Sequence, residues 1–266
     1  MIKLIASDID GTLVKDGTLM LNPEYYDVIL KLKEKGITFV ACSGRQFISE
    51  KKLFSPVKND ILYVTDGGTV IRTPSEILKV YPLETHLWKG MYESVKNMPA
   101  CDCFICLPDF SLAEDAHSSM FCWLRDSYGY DIREVENLSK IQSEEVIKFT
   151  VYHKNACEEM CKPEFIPAWQ DKAKVACAGK EWVDCIANGA SKGTAIRWLQ
   201  QYLNVTPEET CVFGDNLNDM EMLQAAKYSY AVENARDEVK KAANYIAASY
   251  KEDGVLKVLK EILEKA

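Results

Sequence analysis

Residues 5–14 read IASDIDGTLV. An apolar run ends in two acids one residue apart, Asp8 and Asp10, and Gly11 and Thr12 follow. On a strand, side chains two residues apart face the same way. Asp8 and Asp10 are therefore expected side by side at the end of a buried strand. Like charges so placed raise each other's pKa and cost stability.

The flanking sequence predicts the sheet this strand belongs to. Asn22 is an expected helix N-cap, with Pro23 at the first helical position and a stop at Gly36. ITFVACSG reads as a second strand with a helix from about Gln46, and DILYVTDGG as a third strand ending in glycines. Strands alternating with helices predict a parallel sheet with right-handed crossovers. Near Tyr81–Pro82 the rhythm changes. A helix (ETHLWKGMYESVKN), paired strands (CDCFICLP, FSLAED), another helix, EVIKFTVYH, a Cys/Glu-rich helix and a hairpin turning at Gly179 suggest an α+β insert. From Asn188 the α/β rhythm returns and runs to a closing helix, DGVLKVLKEILEK. The expected fold is α/β: a Rossmann-like parallel-sheet core of residues 1–82 plus 188–266, split by an inserted α+β domain at 83–187.

The chain has 266 residues, 47% of them hydrophobic, and a net charge of −8. That length supports one large domain or two smaller ones. An acidic surface argues against nucleic acid or an anionic membrane as the main partner. No stretch approaches the roughly 20 apolar residues that span a bilayer. The apolar run of MIKLIASD is too short for a signal peptide. Ten cysteines without a secretory signal suggest reduced thiols, so a cytoplasmic location is expected.

Four polar clusters fall at expected strand ends, where open parallel sheets bind ligands: Asp8/Asp10, Ser43-Gly44-Arg45, Asp66-Gly67-Gly68 and Gly214-Asp215…Asn218-Asp219. Lys192 lies where the chain re-enters the sheet domain. Mg²⁺ prefers oxygen ligands, takes one or two carboxylates and keeps some water. Asp8 and Asp215 would supply the carboxylates, and Asp10 its main-chain carbonyl. A calcium loop needs Gly at position six and Glu at twelve; counted from Asp8, those positions hold Leu13 and Leu19. No His sits in these clusters, and oxygen ligation suits Mg²⁺ better than zinc. Lys192 would neutralise a phosphate as a point charge, and Ser43 would donate a hydrogen bond to it. Asn218 would touch the phosphoryl group or a leaving oxygen.

The motifs D8-I-D10-G-T-L, C42-S43-G44-R45, S191-K192-G193 and G214-D215-N-L-N218-D219 resemble the four motifs of the haloacid dehalogenase superfamily. The likeness is greatest to the Cof-like phosphatases, which carry a large α+β cap inserted after the third strand. This resemblance implies Asp8 as nucleophile forming an aspartyl-phosphate, and Asp10 as general acid and then base. It implies Ser43, Gly44, Arg45, Lys192 and Asn218 at phosphate or substrate. It implies Asp215 on Mg²⁺, with Asp219 supporting the metal directly or through another residue. The expected activity is hydrolysis of small phosphate monoesters, such as sugar phosphates or phosphorylated cofactors. A phosphomutase with the same chemistry and a non-catalytic phosphate-ligand binder are the alternatives.

One departure is T65-D66-G67-G68, where these phosphatases often have Asn-Gly-Ala. Asp66 is either an ordinary Asp-Gly turn or an acid at the cleft mouth facing the leaving group. Arg45 either reaches substrate or pairs with a core carboxylate. Eight of the ten cysteines lie between 101 and 185, and CDCFIC is read as packing rather than a metal clip. His86, His117 and His153 have no partners at ligand spacing. Trp88, Trp123, Trp169 and Trp182 are assigned to the insert's core or its interface.

Overall fold

A computed structural model describes residues 1–142, 145–178 and 180–266. The chain divides into two compact units, residues 1–79 with 191–266 and residues 80–190. The turn expected at Gly179 lies outside the described residues.

The first unit begins with β1 (Leu4–Ser7), α1 (Glu24–Glu34), β2 (Thr38–Cys42), α2 (Phe47–Leu53), β3 (Leu62–Thr65), β4 (Val70–Arg72) and β5 (Ile77–Val80), the last of which runs into the second unit. The cap position of α1 is taken by Pro23 rather than the expected Asn22, whose side chain, one residue earlier, accepts the Glu24 N–H at 3.1 Å. Tyr25, Val28, Ile29 and Leu32 form the buried face of α1, the i, i+3, i+4, i+7 stripe of an amphipathic helix. Gly36 ends it at φ +75°, a conformation that glycine adopts without a Cβ penalty.

The second unit contains α3 (Thr85–Val95), β6 (Asp102–Cys106), β7 (Ser111–Ala113), α4 (Ser119–Tyr128), β8 (Ile132–Glu134), β9 (Lys148–Tyr152), α5 (Cys157–Cys161), α6 (Phe165–Trp169), β10 (Lys174–Ala178) and β11 (Trp182–Ile186). Its six-stranded sheet has the order β10-β11-β9-β6-β7-β8. The pairing is antiparallel except for β7–β8, whose parallel connection runs through α4. Trp88, Met91, Phe149, Val151, Phe165, Val183 and Cys185 are among its buried core.

The chain then returns to the first unit with α7 (Lys192–Leu203), β12 (Thr210–Gly214), α8 (Met220–Gln224), β13 (Tyr228–Val232), α9 (Asp237–Ala242), β14 (Tyr245–Ala247) and α10 (Gly254–Lys265). The sheet order is β14-β13-β12-β1-β2-β3-β4-β5. Strands β14 through β3 run parallel, and β4 turns back antiparallel to β3. The strand-rich edge after β3 was not read from the sequence. All four residues of β1 and all five of β12 are buried, as strands covered on both faces must be. The chain order reverses between β1 and β12. Beyond the carboxyl ends of those two strands is where such sheets bind ligands.

Candidate active site

Strand β1 ends at Ser7, and the Asp8 N–H donates to the Phe213 carbonyl of β12 at 3.0 Å. Gly11 turns the chain at φ +82°, and an added Cβ there would lie 2.4 Å from Asp215 Oδ2. Only glycine admits that approach. The Thr12 hydroxyl donates to Asp215 Oδ1 at 3.2 Å. The Asn234 amide donates to the Gly11 carbonyl at 2.7 Å. The two loops that carry Asp8 and Asp215 are thus fastened to each other.

Lys192, the first residue of α7, reaches into this junction. Its Nζ lies 2.5 Å from Asp8 Oδ1 and 2.7 Å from Asp219 Oδ1, and its side chain is 1% exposed. Asp8, Asp215 and Asp219 offer carboxylate oxygens within 4.8 Å of one another. The other Asp8 oxygen, Oδ2, is buried without a hydrogen-bond partner. Burial pushes Asp8 well above the usual carboxylate range; Lys192 pulls it down, and Asp219 and Asp215 push it further up. Asp215 is raised to about 6 by burial and by Asp219. Burial opposes the charge of Lys192, but Asp219 and Asp8 outweigh that and raise its pKa. Two raised carboxyls beside one orphaned oxygen form an all-oxygen site short of positive charge. That fits a hard divalent cation.

Asp219 takes a different part from Asp215. Its Oδ2 accepts the N–H groups of Asp215 and Asn216 at 3.0 and 3.1 Å, and its Oδ1 is held by Lys192. Both oxygens are engaged, so Asp219 brackets the loop and the lysine. Asn218 is exposed on the same short 3-10 turn.

Asp10 departs from the expected arrangement. The strand has ended before Asp8, so the two-residue alternation does not carry over, and the two acids have different partners. Arg45 grips Asp10 with two hydrogen bonds, Nε to Oδ2 at 2.7 Å and Nη2 to Oδ1 at 2.6 Å. Nη2 also donates to the Thr18 carbonyl at 2.9 Å. Burial raises the Asp10 pKa, Arg45 lowers it, and Asp16 adds to the rise. Among neighbouring acids, the leading influence on Asp10 is Asp16, and those on Asp8 are Asp219 and Asp215. The mutual repulsion of Asp8 and Asp10 expected from their spacing is not among the leading influences on either acid. Of the two roles open to Arg45, the structure shows the carboxylate pairing.

The loop after β2 and the turn after β3 are stitched by main-chain bonds. Asp66 N–H donates to the Arg45 carbonyl and Gly67 N–H to the Ser43 carbonyl, both at 2.9 Å. Ser43 is buried, and its hydroxyl accepts the Arg45 N–H at 3.1 Å. Gly44 has open space where a Cβ would go, so no close approach is built on it. Asp66 is fully buried at φ +49°, a left-handed position that Asp tolerates in turns. Its side chain is buried, and its backbone is that of the Asp-Gly turn.

Three participants were missed in the sequence. Glu50 on α2 is fully buried with no hydrogen-bond partner on either oxygen. Burial, and then Asp66, push its pKa well up. Asn234 and Asp16 are the others. Among the described residues, Asp8, Asp215 and Asp219 form the one metal-capable group of His, Cys, Asp or Glu. The cysteines are free thiols, and His117 is 82% exposed, 3.8 Å from Glu134. Trp88 is buried, whereas Trp123 is 44% exposed and not part of a core.

Comparison with known proteins fits this geometry. The chain is 27% identical over 264 residues to the 5-amino-6-(5-phospho-D-ribitylamino)uracil phosphatase YbjI of Escherichia coli (strain K12), covering 99% of this chain and 97% of that one. A crystal structure from Eubacterium rectale is 58% identical with a TM-score of 0.91, over 98% and 99% of the two chains. The subclass IIB sugar phosphatase BT4131, 24% identical over 98% of each chain, shares the fold at a TM-score of 0.82. The profile of the haloacid dehalogenase-like hydrolases matches residues 5–259, and the chain belongs to that family.

Proposed function

We propose that this chain is a Mg²⁺-dependent phosphatase of small phosphorylated metabolites that works through a phosphoryl group carried on Asp8. The observation that carries the proposal is the buried Asp8–Lys192–Asp219 contact with Asp8 Oδ2 left without a partner. Asp8 and Asp215 would hold the cation, which supplies positive charge against phosphoryl oxygens. Lys192, held at 1% exposure, supplies a second, fixed positive charge that survives burial because two carboxylates flank it.

In the first half-reaction an Asp8 oxygen attacks phosphorus, the ester P–O bond breaks, and the leaving oxygen takes a proton from Asp10. In the second, Asp10 takes a proton from water as the water oxygen attacks phosphorus. The bond to Asp8 breaks, and inorganic phosphate leaves. A carboxylate nucleophile and a carboxyl that alternates between acid and base are established uses of these groups. Arg45 fixes the orientation of Asp10. Burial and Asp16 favour its acid form and Arg45 its carboxylate, so their balance sets the pH range of the first step. Ser43 and Asn218 would contact the phosphoryl group.

Residues 80–190 are proposed as the cap that selects the leaving group. The E. coli relative suggests a phosphorylated polyol bearing a planar base as one substrate class. The test is hydrolysis of p-nitrophenyl phosphate by wild type and Asp8→Asn, each with and without EDTA. The expected result is activity that needs both Asp8 and the metal. Equal, metal-independent rates for the two proteins would refute it.

A further inference from the structure

The turn Asp66-Gly67-Gly68 and the residue Glu221 have no part in the chemistry above, yet the turn presses on the peptide entering Lys192 and Glu221 on its neighbours Ser191 and Gly193. A Cβ on Gly68 would lie 2.2 Å from the Ser191 carbonyl carbon, 2.3 Å from its oxygen and 2.6 Å from Lys192 N. The peptide bond leading into Lys192 therefore rests directly on the turn after β3. On the other side, a Cβ on Gly193 would lie 2.5 Å from the Glu221 backbone. Here too a side chain has no room without displacing main chain.

The Ser191 hydroxyl spans the same junction. It donates to Glu221 Oε2 at 2.6 Å and accepts the Thr194 N–H at 3.0 Å. A hydroxyl has one proton; giving it to Glu221 leaves its lone pairs for the helix N–H group it caps. Arg197 stands 3.7 Å from the same Glu221 oxygen. Glu221 lies two residues beyond Asp219, so one side chain ties the loop holding Asp219 to the start of the helix holding Lys192.

We infer that Glu221 is a positioning residue for Lys192: with Gly68 and Gly193 it sets where the ammonium group sits between Asp8 and Asp219. The inference rests on Lys192 as the phosphate-binding cation. A misplacement of about 1 Å at a reacting group can lower a rate by roughly 10²-fold. Glu221 is half-exposed, so a smaller effect is expected, about tenfold.

Two measurements test it. The first is calorimetric binding of inorganic phosphate, with kcat and KM, for Glu221→Leu, Glu221→Gln and Gly193→Ala. Glu221→Leu should weaken phosphate binding about tenfold, and Gly193→Ala should do the same by crowding the Glu221 main chain at the same junction. Glu221→Gln, which still accepts from Ser191, should stay within about twofold of wild type. A protein that is merely less folded loses kcat per total protein but keeps its phosphate affinity and KM. Wild-type phosphate affinity in Glu221→Leu, or equal damage in Glu221→Gln, would overturn the inference.

The second is a thermal double-mutant cycle between Glu221→Leu and Lys192→Met, which needs no ligand. Non-additive shifts are expected, and additive ones count against positioning. If wild type neither binds phosphate nor hydrolyses esters, the phosphatase proposal falls while the cycle still decides this one.

Discussion

Replacing Lys192 with Met should be among the most destabilising single changes in the first unit. The side chain is 1% exposed and makes ion pairs of 2.5 and 2.7 Å. Met keeps most of its volume, so the loss is electrostatic. Removing one partner of a buried ion pair costs about 3–5 kcal/mol, because the remaining charge is left uncompensated. In a unit of about 155 residues that corresponds to a fall in Tm of roughly 6–20 °C. The pH dependence has a definite sign. Asp8 and Asp215 are already raised in the folded state, and losing Lys192 raises them further. A carboxyl with a raised folded pKa loses stability as pH climbs through that value. The gap between wild type and Lys192→Met should therefore be widest near pH 8 and narrower near pH 5. Mg²⁺ should narrow it by returning positive charge. Calorimetry in EDTA at both pH values, repeated with Mg²⁺, measures this. A gap below about 1 kcal/mol near pH 8, the scale of an exposed pair, would refute the reasoning. So would a gap that widens on acidification.

Two further outcomes are expected. Asp10→Asn should lose about 10²–10⁴-fold on an alkyl phosphate, the usual worth of general acid–base catalysis. It should lose less on p-nitrophenyl phosphate, whose leaving group needs little protonation; equal losses would remove the acid role from Asp10. Glu50→Gln should gain stability relative to wild type as pH rises above the ordinary Glu value, by up to about 1.4 kcal/mol per pH unit until the raised folded value is reached. A flat difference in urea midpoints from about pH 4 to pH 8 would show that Glu50 ionises freely in the fold.

The residues that meet at the site were legible because strand ends can be read locally. Each of Asp8, Ser43 and Asp215 follows an apolar run that stops abruptly, and a parallel sheet collects such stops along one edge. Asn22 and Gly36 likewise signal the limits of α1 through backbone chemistry alone. What failed was pairing. Spacing put Asp8 beside Asp10, but it holds no information on Arg45, which is 35 residues from Asp10 and takes both of its oxygens. Nor does it place Asp16 in the loop after Gly11. Asp66 looked exposed because Asp-Gly turns usually are; it is buried, its N–H bonded to the Arg45 carbonyl and its charge raising the Glu50 pKa. Ser191 and Glu221 are 30 residues apart and meet only because α7 and α8 pack against each other. The short strands β4, β5 and β8 carry little periodicity in three or four residues, and unlike the equally short β7 and β14 they were not read.

The central claim is that Asp8 carries the phosphoryl group, and acid quenching during turnover tests it most directly. Wild type mixed with excess phosphate ester and Mg²⁺ is quenched in acid, digested, and its peptides weighed. One added phosphoryl group on the peptide containing Asp8, absent from Asp8→Asn and discharged when the quench is delayed past substrate exhaustion, is the expected result. Turnover at full rate with no phosphorylated peptide, or with the phosphoryl group on another residue, would contradict it.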